Sequence, residues 1–362
     1  MVHVVLAGGG TAGHIEPALA LADALREHES TIGITMLGTS RGMETWLVPQ
    51  RGYSLKLIPA VPLPRKPTAE LVTVPGRLTQ AVAVTSQILE KVQADVVVGF
   101  GGYVAVPAYL AARRRSTPLI IHEANPRPGV ANRIGARLTE YVAVGTRQTR
   151  LPNARYVGVP LRRAIATLNR DALRAQARHH WGLEADRPTL LVFGGSQGSQ
   201  RLNEMTVAAT ADLLALGIQI VHITGPNNQQ AISSLGGSRY VALSYLNQME
   251  LAYAAADLAL CRAGAMTCAE LTAVGMPAAY VPLPFGNGEQ RLNALAVVRA
   301  GGGLVVDDAI LTPSWIRDEL LPLLIDPARL RTMGASAAKL GCRDAAKTLV
   351  GMIYTAVEKS AS

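Results

Sequence analysis

The run Val2-His3-Val4-Val5-Leu6-Ala7-Gly8-Gly9-Gly10-Thr11-Ala12-Gly13-His14 decides how the rest of the chain is read. An apolar, β-branched stretch ends abruptly in glycines, and Ile15, Ala18, Leu19, Ala22 and Leu25 follow at helical spacing. That order reads strand, tight loop, helix. Glycines let a backbone approach an anion closely, and the free amides and dipole of a helix N-terminus favour negative charge there. The stretch therefore has the outline of a phosphate-handling turn. His14 is the unusual feature, a titratable side chain where loop becomes helix.

Outward from this unit, apolar runs at 31–37 and 55–59 read as strands around a helix at 43–50, the rhythm of a parallel α/β sheet. Residues 59–67 hold four prolines with Arg65-Lys66 and read as an irregular loop. Residues 70–91 read as a helix broken at Pro75-Gly76. Strands at 95–100 and 118–121 then run into Gly101-Gly102-Tyr103 and His122-Glu123-Ala124-Asn125-Pro126. Ligands of open α/β sheets bind beyond the carboxyl ends of the strands, which makes these polar residues site candidates.

Near residues 156–163 the pattern restarts. A strand at 189–193 enters Gly194-Gly195-Ser196-Gln197-Gly198 and then a helix at 200–215, an echo of the opening unit. Strands at 218–224, 240–243, 258–261, 278–281 and 303–306 complete a second sheet. Two doubly wound domains in tandem, 1–160 and 161–342, are the economical reading. The last helix, within 343–362, is expected to pack back on the first domain.

Composition sets the remaining limits. The 362 residues are 49% hydrophobic and 17% charged, which suits a folded α/β protein of two domains rather than a disordered chain. The net charge of +9 is uneven: residues 1–160 carry 17 Lys/Arg against 10 Asp/Glu, and the remainder 18 against 16. A basic half suits an anionic membrane surface or a phosphorylated substrate. Nucleic acid is disfavoured, because no basic stretch is interleaved with aromatics. The apolar, uncharged stretch 96–112 contains Gly99, Gly101, Gly102 and Pro107 and falls short of the ~20 residues a spanning helix needs. The sequence opens on a strand with no signal-peptide pattern, and Cys261, Cys268 and Cys342 lack metal-ligand spacing, so reduced core thiols are expected.

Gly8, Gly10 and Gly13 fit a dinucleotide fingerprint, but such domains place an acid at the end of the second strand to hold the ribose. Here that strand ends Met36-Leu37-Gly38-Thr39. The nucleotide is expected on the second half instead. Arg262-Ala263-Gly264-Ala265-Met266-Thr267 follows a strand and opens a helix whose amides can face a diphosphate, with Glu270 one turn in to accept two vicinal ribose hydroxyls.

These motifs in this order, Gly-Gly-Gly-Thr-Ala-Gly-His at 8–14, Gly-Gly-Tyr at 101–103, His-Glu-Ala-Asn at 122–125, Gly-Gly-Ser-Gln-Gly at 194–198, Cys-Arg-Ala-Gly-Ala-Met-Thr at 261–267 and 290–293, resemble the bacterial lipid II-forming N-acetylglucosaminyltransferases. The resemblance spans nearly the whole chain. It implies the GT-B glycosyltransferase fold, two Rossmann-like doubly wound domains facing a cleft. It also implies transfer of N-acetylglucosamine from UDP-N-acetylglucosamine to undecaprenyl-pyrophosphoryl-N-acetylmuramoyl-pentapeptide in peptidoglycan synthesis, on the cytoplasmic side of the cell membrane as a peripheral protein.

Residue by residue, it places Thr11, Ala12, Gly13, Asn125, Arg162, Ser196, Leu246, Ala265, Met266, Thr267, Glu270 and Gln290 on the donor, and Gly10, Thr11, Gly102 and Tyr103 on the acceptor. Arg65, Lys66, Leu71, Val74, Arg77 and Leu78 would face the anionic membrane. Two departures stand out: Gly158-Val159-Pro160 replaces the family's Gly-Asn-Pro, and Glu16 adds a carboxylate two residues beyond His14.

The chemistry expected is an in-line displacement in which His14 takes the proton of the muramoyl 4-hydroxyl, with Glu123 and Glu16 as rival bases. Helix N-termini and Arg162 would meet the charge on departing UDP; no Asp-x-Asp pair for a divalent ion is present, and neither metal nor cofactor is expected. The helix terminus would keep His14 neutral. A UDP-sugar 2-epimerase, a glycolipid synthase and a non-catalytic nucleotide-sugar sensor are alternatives on the same scaffold.

Overall fold

The computed structural model describes residues 1–61, 73–226 and 239–361. The chain forms two compact units, Met1–Arg163 with Arg343–Ser362, and Ala164–Cys342.

The first unit runs β1 (His3–Gly8), α1 (Ala12–His28), β2 (Gly33–Gly38), α2 (Glu44–Gln50), β3 (Ser54–Leu57), α3 (Val74–Lys91), β4 (Val96–Gly101), α4 (Ala105–Arg114), β5 (Leu119–Glu123), α5 (Val130–Gly135), β6 (Tyr141–Val144) and β7 (Ala154–Tyr156). Its strands form one parallel sheet in the order β3-β2-β1-β4-β5-β6-β7. The central strands are apolar on both faces because helices cover both, and β4 is buried throughout. The order reverses between β1 and β4, so the loops after these two strands flank the sheet's crevice. There the pairing slips, with Ala7 opposite Gly99 and Gly8 opposite Gly101.

Two features of this unit bear on the sequence reading. Pro75 stands in the first turn of α3, where its missing amide would have had no intrahelical partner; residues 70–72 of the expected helix lie outside the described residues. The sequence reading does not include β6 or the edge strand β7, the latter being three exposed residues with no apolar run. The C-terminal helix, Ala345–Ala361, packs on α1 of this unit. The Tyr354 hydroxyl donates to Glu29 at 2.7 Å, and its ring meets His28 edge-on.

The second unit contains α6 (Arg163–Ala166), α7 (Arg170–His180), β8 (Thr189–Phe193), α8 (Gln200–Ala215), β9 (Gln219–Ile223), β10 (Tyr240–Leu243), α9 (Met249–Ala255), β11 (Leu258–Cys261), α10 (Ala265–Ala273), β12 (Ala278–Tyr280), α11 (Glu289–Arg299) and β13 (Gly303–Val305). It closes with α12 (Pro313–Trp315), a π-helical turn at Ile316–Leu320, α13 (Leu321–Leu324) and α14 (Pro327–Ala338). Six parallel strands in the order β10-β9-β8-β11-β12-β13 repeat the first sheet's plan, with the reversal between β8 and β11. Leu190, Val192, Leu202, Ile220, Leu258, Leu260 and Val281 belong to its core.

Helix α7 acts here as a clamp. Arg170 donates to the carbonyls of Tyr253, Ala256 and Gly275, and Arg178 to that of Ala255. These guanidinium groups satisfy carbonyls at the end of α9 and, at Gly275, just beyond α10, that the helices themselves leave without partners. Arg174 and Arg178 pair with Asp257, which also accepts from the Thr189 amide. The end of α9, with Tyr253 on it, is thereby fixed to β8.

Candidate active site

In the first unit the crevice is built by two glycine loops pressed together. Gly102 has a positive φ of 85°, and a Cβ there would stand 2.2 Å from the Gly9 carbonyl oxygen, so only glycine permits the approach. The Tyr103 ring, 53% exposed, lies over Gly10. Thr11 caps α1 through its backbone, its carbonyl accepting from the amides of His14 and Ile15. Thr11, Gly10, Gly102 and Tyr103 thus share one rim with His14.

The His14 ring is half-buried, its Nδ1 3.2 Å from the Thr11 hydroxyl and its Nε2 edge against Gly101. Burial holds the imidazole below the ordinary histidine range, opposed by Glu123, hydrogen bonding to the Gly9 backbone and Glu44. Desolvation thus favours the neutral form of the ring.

Neither rival carboxylate is disposed as a base. Glu123 ends β5 and is 3% exposed; its Oε1 accepts from the Asn125 amide (2.9 Å) and side chain (3.2 Å), and its Oε2 from the Gly129 amide (3.0 Å) and Asn132 Nδ2 (2.9 Å). Four donors occupy its lone pairs, so the carboxylate organises the loop after β5. Asn132 is held in turn by the Tyr109 hydroxyl at 2.7 Å, and the Tyr109 ring fills space that Gly99 and Gly135 leave by lacking a Cβ. Glu16 is directed elsewhere, toward Arg51 at 4.0 Å, and is not among the charges acting on His14. His122, singled out beside Glu123, is a buried strand residue bonded through Nε2 to the Gly158 carbonyl.

The opening stretch also differs from a plain phosphate loop. The Gly10 amide donates to the fully buried Glu44 at 3.0 Å, and Glu44 also takes the Thr39 amide (2.8 Å) and hydroxyl (3.0 Å). An anion of the chain's own thus occupies that side of the loop, and a nucleotide phosphate there would meet like charge. No acid stands at the end of β2 itself; Glu44 reaches back to it from the first turn of α2.

In the second unit, loops after four strands are tied into a platform. Arg262 donates to the carbonyls of Val281 and Pro282 and to Ser199 Oγ, and pairs with Asp308. Gln290 Oε1 accepts from the amides of Ala263 (3.2 Å) and Leu283 (3.1 Å), and Asn293 donates to the Ala263 carbonyl. Gln290, expected on the donor, thus spends its side-chain carbonyl on bracing, which leaves its amide nitrogen for a ligand. Above the platform, α10 starts at Gly264 with no side-chain cap, so the first-turn amides at Ala265, Met266 and Thr267 form an anion-seeking end. Glu270 is buried and accepts from the Tyr253 hydroxyl at 2.6 Å. Tyr253 had no signal in the sequence, since one tyrosine on an alanine-rich helix reads as core. Ser196 and Leu246 are half-buried residues of this unit, in the loops after β8 and β10.

Thr11, Ala12, Gly13, Asn125 and Arg162 belong to the first unit, whereas Ser196, Leu246, Ala265, Met266, Thr267, Glu270 and Gln290 belong to the second. Of the residues expected to face a membrane, Val74 and Leu78 are half-exposed and Arg77 is exposed on the first turns of α3, which buries Ala81, Thr85 and Leu89 further on. Arg65, Lys66 and Leu71 lie outside the described residues. No described helix is long and apolar enough to cross a membrane.

Two family models match the chain: the glycosyltransferase family 28 N-terminal domain over residues 4–144 and the glycosyltransferase family 28 C-terminal domain over 189–349. A UDP-N-acetylglucosamine–N-acetylmuramyl-(pentapeptide) pyrophosphoryl-undecaprenol N-acetylglucosamine transferase of Streptomyces coelicolor is 63% identical, covering 98% of each chain. The chain belongs to this glycosyltransferase family. A relative of the same description from Mycobacterium tuberculosis is 57% identical over 95% of this chain and 87% of its own. The crystal structure of Acinetobacter baumannii MurG superposes with a TM-score of 0.79 at 28% identity, covering 98% of this chain and 100% of that one. The α/β GT-B fold follows from these matches and from the two parallel sheets.

Proposed function

We propose that this enzyme moves N-acetylglucosamine from UDP-N-acetylglucosamine to the 4-hydroxyl of the muramoyl sugar of undecaprenyl-pyrophosphoryl-MurNAc-pentapeptide, with inversion. The observation that carries the reading is the near full-length likeness to transferases of that description, together with a half-buried histidine, His14, at the mouth of the first unit's crevice.

Nδ1 of His14, on the Thr11 side, receives the proton as the acceptor oxygen attacks the anomeric carbon and the bond from that carbon to the UDP oxygen breaks. Charge growing on the leaving diphosphate is met by the N-terminus of α10 and by Arg162. Glu270, oriented by Tyr253, accepts the ribose hydroxyls, with Ser196, Leu246 and Gln290 as further donor contacts. Thr11, Ala12, Gly13 and Asn125 complete the donor set; Gly10, Gly102 and Tyr103 line the acceptor's side. Glu123 is a positioning residue in this scheme.

The basic first half and the projecting start of α3 support docking at an anionic bilayer on its cytoplasmic face, where a lipid pyrophosphate is reached. The deciding assay supplies labelled UDP-N-acetylglucosamine with and without a short-chain analogue of the muramoyl lipid and follows both products. UDP release and labelled lipid, each dependent on the acceptor, are expected. Turnover of the donor alone would point to an epimerase, and binding without UDP release to a sensor.

A further inference from the structure

Glu44 is fully buried, yet its partners are two backbone amides and a hydroxyl, those of Gly10 and Thr39. The backbone around it is shaped to admit it. A Cβ would stand 2.9 Å from Glu44 Oε1 at Gly9, 2.4 Å from its Cγ at Gly38 and 1.9 Å from its Oε2 at Gly42. A buried carboxylate is costly unless it is fully hydrogen-bonded, and an apolar side chain would fill the same space at less cost. The loop it grips runs directly into the residues that present His14.

We infer that Glu44 is a positioning residue for the transfer: it holds the Gly10 amide so that the loop presents His14, and its negative charge supports the imidazolium that forms when the proton arrives. This rests on His14 being the base. Glu44 itself neither gains nor loses a proton in the step. Its charge acts in the same direction as that of Glu123 on β5, against the burial that weakens His14, while Glu16 on α1 is turned toward Arg51. Two carboxylates from separate elements thus offset the desolvation of a base that must stay neutral before the reaction and charged during it.

The test compares wild type, Glu44→Gln and His14→Gln by the pH profile of kcat/KM and by NMR titration of ¹³C-labelled histidines in the UDP-bound protein, the His14 variant assigning the resonance. In Glu44→Gln the acid limb and the His14 midpoint should both move to lower pH, kcat should fall roughly tenfold, and the donor KM should stay within about twofold. A merely structural Glu44 would lower activity without moving either midpoint, and that result overturns the inference. Full turnover in His14→Gln would instead overturn the base assignment, whatever Glu44 does. Should Glu44→Gln not fold, Thr39→Val releases only the hydroxyl bond: a kcat reduced about threefold with an unchanged melting temperature supports the positioning role, and an unchanged kcat overturns it.

Discussion

The glycine loops after β1 and β8 are the same element in sequence, an apolar strand entering a double glycine and then a helix, and the structure makes them into different instruments. The loop after β1 is braced from within by a carboxylate, Glu44 on the Gly10 amide, and its helix opens without a side-chain cap and with a titratable ring. The loop after β8 ends in Ser199, whose hydroxyl caps α8 and accepts from the Arg262 guanidinium at 2.8 Å. An internal anion makes the first loop a poor phosphate cradle and a suitable support for a base. A guanidinium joins the second loop to the platform beneath the open end of α10. Backbone shape is shared, and the nearest buried charge sets the chemistry.

The comparison breaks or sharpens under four substitutions. The largest effect is expected from His14→Ala, with turnover lowered by roughly 10²-fold or more and UDP binding unchanged. The wild-type profile should agree: activity is held by the neutral ring and lost as pH falls through its midpoint, which burial places below 6.5. An acid limb above that value would count against His14.

Next comes Glu123→Ala, which strands the buried donors of Gly129 and Asn132. A stability loss of about 3 kcal/mol is expected in chemical denaturation. Full stability together with a His14-like collapse of turnover would restore Glu123 as the base. Tyr253→Phe sharpens the second region: losing one hydrogen bond to Glu270 should raise the donor KM about fivefold with kcat nearly constant. A changed kcat and constant KM would detach Glu270 from donor binding. The smallest effect is expected from Arg77→Glu, which should weaken binding to anionic vesicles by about 1 kcal/mol, with wild-type binding itself falling as salt rises. Salt-insensitive binding would argue for a purely apolar contact.

Much of the architecture was legible from local pattern. Strands β1, β4 and β8 are apolar runs that end in or run into glycine, and their period and punctuation are properties of short windows. The short exposed strand β7 was not legible, because pairing with β6 rather than composition makes it a strand. Pro75 at the start of α3 is hard to place from sequence, because a proline that starts a helix and one that breaks it differ only in what precedes them.

For the site, sequence alone pointed to the glycine loops proposed to carry the chemistry and showed a histidine at the first of them, since glycines and a titratable residue at a strand end are visible without neighbours. Only the tertiary structure decided what each charge does. Glu123, Glu16 and Glu44 are three acids of one composition: the first is saturated by four donors, the second turned to an arginine, the third buried beneath the loop it holds. A carboxylate's role depends on its partners and its distance from water, and both are set by residues far away in the chain.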